Sequence, residues 1–70
     1  MSEVDYFIVV IKEGEEPIVL PERYDNLEIA KNCCLSVAHV IYNDCVVNLM
    51  EDDSSKVKVI EKFNGMLDRN

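Results

Sequence analysis

Seventy residues, 49% of them apolar and 30% charged, make one globular domain with no room for a second. A chain of that size hides only about 60% of the surface its unfolded form exposes, so a self-contained catalytic cleft is not expected. Fourteen acids against seven bases give a net charge of −7, a field that repels phosphate backbones and anionic membranes and disfavours direct nucleic-acid binding.

The longest apolar run, Tyr6 to Ile11, is far shorter than the roughly 20 residues needed to cross a bilayer. The first residues, Met-Ser-Glu-Val-Asp, carry acids where a secretory signal carries Lys or Arg. A cytoplasmic protein is expected. The cysteines, Cys33, Cys34 and Cys45, are odd in number and two are adjacent, which suits reduced thiols better than a disulfide framework.

Asp5 to Lys12 is β-branched and aromatic at both odd and even positions, the pattern of a strand buried on two faces and hence central in its sheet. Glu13-Gly14-Glu15-Glu16 is a polar turn, and Pro17 to Leu20 returns as a short strand. Pro17 and Pro21 cannot donate to a ladder and place that strand at an edge.

A helix is predicted from Asn26 to Tyr42, with Asp25 as N-cap, Glu28 as its capping-box partner and Tyr24 stapled against Ile29. At helical spacing Leu27, Ala30, Cys34, Val37, Ala38 and Ile41 share one face, and Ile29, Cys33 and Val40 widen it to about half the circumference. Asn43 is the expected left-handed residue after the last turn.

Cys45 to Met50 is a third strand, mostly apolar on both faces, with Cys45, Val47 and Leu49 on one side and Val46, Asn48 and Met50 on the other, and therefore central. Glu51-Asp52-Asp53-Ser54-Ser55 turns the chain into Lys56 to Phe63. There Val57, Val59 and Phe63 alternate with Lys56, Lys58 and Lys62, and lysines at that density mark an edge. The domain spans 1–63, and the tail 64–70 is expected to fray.

Sequential hairpins and a single crossover then give an α+β fold: a ββαββ domain with a four-stranded antiparallel sheet of order 2-1-3-4 and one helix on one face. One helix cannot cover two faces. Strands 1 and 3 are apolar on both, so an apolar patch is left for another molecule to cover. Tyr6, Ile8 and Val10 with Val46 and Met50 are the expected contact residues, and a homodimer through that face is the simplest cover.

No chemistry-bearing motif competes with this reading. Adjacent helical cysteines diverge by about 100° and His39 lies across the helix from both, so neither a metal site nor a Cys-His nucleophilic pair is expected. No phosphate-binding loop is possible with two glycines. The protein is expected to be non-enzymatic, without cofactor or metal.

The acids fall in two groups, Glu13, Glu15, Glu16 and Asp44 at one end of the sheet and Glu51, Asp52 and Asp53 at the other. They fit a basic partner, or a decoy that imitates phosphates and inhibits a nucleic-acid-binding enzyme. The leading expectation is an interaction module that occupies or regulates another protein. A regulatory domain binding a small ligand between protomers is the remaining alternative.

Overall fold

In the computed structural model, which describes residues 4–64, the elements run β1 (Asp5–Ile11), β2 (Ile18–Val19), α1 (Leu27–Ser36), β3 (Val46–Asp52) and β4 (Val57–Asn64). α1 continues without a break into a π-helical turn, Val37–Ile41. All strand pairs are antiparallel and the order is β2-β1-β3-β4. The two-face apolar strands thus take the centre, and the proline-bracketed and lysine-rich strands take the edges. Asn64 closes β4, and the rest of the expected tail, 65–70, lies outside the described residues.

The strand register sorts side chains into rows, because directly opposed residues of an antiparallel sheet share a face. One face carries Ile18, Val10, Val47 and Phe63 in one row, Ile8, Leu49 and Glu61 in the next, then Tyr6, Glu51 and Lys58. This face meets the helix, and Ile8, Val10, Val47, Leu49 and Cys45 form one buried cluster with Ala30, Cys34 and Ala38. The helix contributes small residues one turn apart, so its backbone comes close to the sheet and the large side chains of β1 and β3 fill the space between. Across the outer edge of this layer Lys31 pairs with Glu61 at 3.5 Å.

The helix begins one residue later than its sequence signal. Tyr24 is tied to β1 by reciprocal backbone bonds with Tyr6, at 2.8 and 2.9 Å. Asp25 is then consumed as the link out of the sheet. Asn26 takes the cap instead: it is extended at φ −129°, its Oδ1 accepts the Ile29 N–H at 3.1 Å, and its carbonyl accepts the Ala30 N–H. Ile29 stays exposed, whereas Tyr24 packs against the core.

At the other end the Tyr42 N–H reaches back to the Val37 carbonyl at 2.9 Å, five residues away. That wider turn rotates its own residues out of phase with α1. Ala38 stays buried while Val40 and Ile41 are 74% and 65% exposed, although the 100° spacing places Ile41 inward. Asn43 is not left-handed. The chain leaves through a turn closed by the Cys45 N–H on the Tyr42 carbonyl at 3.1 Å, and Ser54 is the one non-glycine residue of positive φ among the described residues. Within the expected polar turn Gly14 takes φ +82°, at the third position of the turn in which the Glu15 N–H bonds the Lys12 carbonyl.

β4 also departs from simple alternation. Leu49 faces Glu61 but Met50 faces Val59, so Ile60 is an extra residue in a β-bulge. Past it the faces exchange: Phe63 and Ile60 pack against the core, whereas Val59 and Val57 lie with Lys62 on the other face and Lys58 joins the helix side. The expected stripe of Val57, Val59 and Phe63 is therefore divided between two faces.

The cap assignment is testable. Asn26→Ala is expected to lower stability by about 1 kcal/mol and Asp25→Ala by a few tenths, read as urea midpoints. The reverse ranking would return the cap to Asp25.

Candidate interaction surface

The second face of the sheet has no helix over it among the described residues. Its rows are Ile11 and Val46; Val19, Val9, Asn48 and Lys62; Phe7, Met50 and Val59; and Asp5, Asp52 and Val57. The apolar surface expected from the sequence is thus present, but it draws on the other alternation of β1. Tyr6, Ile8 and Val10 point to the helix, with Ile8 and Val10 fully buried there, so they do not lie on the open face. Val46 and Met50 do, together with Phe7, Val9 and Ile11. The two faces of β1 carry nearly the same apolar chemistry, so its pattern does not decide between them, and the small residues of α1 pack on the row that carries Ile8 and Val10.

Two features of the open face have no counterpart in the apolar pattern. At one end Arg23 lies across it, its guanidinium 4.4 Å from the centre of the Phe7 ring and 3.2 Å from Asp52 Oδ2, which leaves Phe7 buried. In the middle Asn48 is only 8% exposed, and its Oδ1 has no hydrogen-bond partner. Its strand neighbours on this face are Val9 and Lys62. An unmade bond at a buried acceptor costs about 1–3 kcal/mol, and burial within the monomer alone does not explain a carboxamide in this position. In the sequence Asn48 is one polar residue on a mostly apolar strand face.

The acids of the two ends differ in what they do. Asp44 pairs with Lys12 at 3.6 Å and accepts the Cys45 thiol at 3.2 Å, and the thiol first and the lysine second hold its carboxyl below the usual range. Lys12 and Asp44 are thereby joined at the end where Glu13, Glu15 and Glu16 stand, and those three form no ion pair among the described residues. At the far end Glu51 pairs with Lys58 at 3.4 Å. Asp52 accepts the Ser54 N–H at 3.0 Å and binds Arg23, while Asp53 accepts the Ser55 and Lys56 N–H groups at 3.0 and 2.9 Å. These backbone bonds are the leading cause of the lowered pKa of both, and they hold Ser54 in its left-handed conformation. The second group of acids is therefore engaged largely in its own turn.

The thiols sit apart. Cys34 is buried at the helix–sheet junction, where burial and then the nearby Glu61 carboxylate push it up to about 12. Cys45 is raised by burial and then by Asp44, Cys33 is half-buried, and His39 is exposed. Among the described residues no three His, Cys, Asp or Glu side chains converge on a point an ion could occupy, and no helix is long and apolar enough to cross a membrane. Compared with models of protein families, with curated proteins and with solved structures, the chain matches none.

Asp52 and Asp53 have folded-state pKa values below their unfolded values near about 3.9, so the stability they lend is present above that range and lost as pH falls through the lowered values. Asp53→Asn keeps an acceptor for the turn but cannot titrate. Its urea midpoint is expected to fall less steeply than that of the wild type between about pH 4 and 2. Parallel curves would mean that the carboxylate of Asp53 takes no part.

Proposed function

We propose that this protein is a non-catalytic interaction module of the cytoplasm that occupies or regulates another protein through the open face of its sheet. The observation that carries this reading is the run of apolar side chains on that face, Val9, Ile11, Val46, Met50, Val57 and Val59, with no cover among the described residues. Water-exposed apolar patches of more than a few hundred Å² mark contact sites far more often than idle surface. Covering such a patch is favourable by about 25 cal/mol per Å², against the cost of association. A second copy of the chain is one molecule able to cover it, and a foreign protein is another.

A rival surface exists on the helix side, where Val40 and Ile41 project from the π-helical turn. Two variants separate them. Tagged protein carrying Val59→Glu is expected to lose whatever wild-type protein retains, whether a second copy seen by light scattering or a stoichiometric foreign protein. Val40→Glu is expected to keep it. Loss with Val40→Glu alone would move the contact to the helix. A wild-type chain that scatters as a monomer and retains no protein would overturn the module reading.

A further inference from the structure

The open face has a definite electrostatic frame, and it points to the kind of molecule that fits it. A second copy seated on this face would set like charges together. A twofold axis in the plane of the face, along or across the strands, brings acidic ends over acidic ends, because Glu13, Glu15 and Glu16 follow β1 at one end and Asp5, Asp52 and Asp53 stand at the other. With a net charge of −7 per chain, self-association is opposed where a cationic partner is drawn in.

The middle of the face adds a specific demand. Asn48 Oδ1 is buried and without a partner, and two of its neighbours on the face, Met50 and Lys62, are long unbranched side chains able to swing aside. A donor arriving from outside the sheet would meet an acceptor that the monomer leaves unused. A helix is the element that lies along a sheet face elsewhere in this fold. An amphipathic helix of about 18 residues spans about 27 Å, the length of these strands and the turn beyond them.

We propose that the occupant is a cationic amphipathic helix of a foreign protein. Its apolar stripe covers Val9, Ile11, Val46 and Met50, one of its polar side chains donates to Asn48 Oδ1, and its Lys or Arg residues meet Glu13, Glu15 and Glu16. This rests on the interaction-module reading and adds the chemistry of the partner. The complex has helices on both sides of one sheet, the three-layer arrangement in which two-face apolar strands are ordinarily found.

The probe is a synthetic Leu/Lys helix of about 18 residues, titrated at low salt into the full ¹⁵N-labelled chain and followed by amide correlation spectra. Shifts are expected at Val9, Ile11, Val46 and Met50 and at the side-chain amide of Asn48, with binding that weakens as salt is raised. Affinity is expected to fall about tenfold in Met50→Lys, and severalfold in Glu13→Gln/Glu15→Gln/Glu16→Gln, whose changes lie in an exposed turn and leave the core untouched. Shifts confined to the acidic turns and unaffected by Met50→Lys would overturn the proposal, as would absence of binding. Should the chain ignore the peptide but scatter as a dimer that Met50→Lys dissolves, the module reading stands and the cationic partner falls. If it ignores the peptide and stays a monomer that retains no protein, both fall.

Discussion

One helix against two apolar sheet faces is the constraint on which the rest of this structure depends. β1 and β3 are the central strands because each is apolar at successive positions, and the edges fall to a strand bracketed by prolines and a strand laced with lysine. The helix can satisfy one side only. Ala30, Cys34 and Ala38, stacked at four-residue intervals, let it settle on Ile8, Val10, Val47 and Leu49. A core this small leaves little margin, since burial and chain entropy nearly cancel in domains of this size. The side left over is not a flaw of packing but a consequence of element count, and its exposed valines and isoleucine lie where no described part of the chain reaches them.

Strand order, edge and centre, and the presence of one helix were legible in the residues, because prolines, lysines and β-branched runs report directly on hydrogen bonding and burial. The features that were not legible depend on contacts between elements. The helix cap moved from Asp25 to Asn26 because the bridge between Tyr6 and Tyr24 fixes where the chain leaves the sheet, and both residues are good caps in isolation. The bulge at Ile60 exchanged the faces of β4, an event that alternation alone cannot announce. The π-helical turn freed Ile41 from the face that 100° spacing assigned it. The side of β1 that meets the helix was open for the simplest reason: Tyr6, Ile8, Val10 and Phe7, Val9, Ile11 offer nearly the same chemistry.

Polar groups refine the picture more than the charge total does. Asp52 and Asp53 serve the β3–β4 turn and Asp44 serves Lys12 and Cys45, so a large part of the acidity is structural. The buried thiols of Cys34 and Cys45 are held protonated by their surroundings, as packing residues rather than nucleophiles. Glu13, Glu15 and Glu16 have no such role among the described residues, and neither has the carboxamide oxygen of Asn48. The Asn48 carboxamide lies on the face that lacks an internal cover, and the three glutamates stand in the turn that follows β1.

The partition of the sheet into a core face and a contact face is tested most directly by placing one charge on each side of a single strand. Val46 and Val47 are neighbours in β3, the first on the open face opposite Ile11 and the second in the core opposite Val10. Val47→Glu buries an unpaired carboxylate and is expected to unfold the chain in circular dichroism. Val46→Glu is expected to leave a cooperative fold within about 1 kcal/mol of the wild type. Unfolding by both variants would show that the open face belongs to the core of the monomer, and the division of the sheet into two functions would fail.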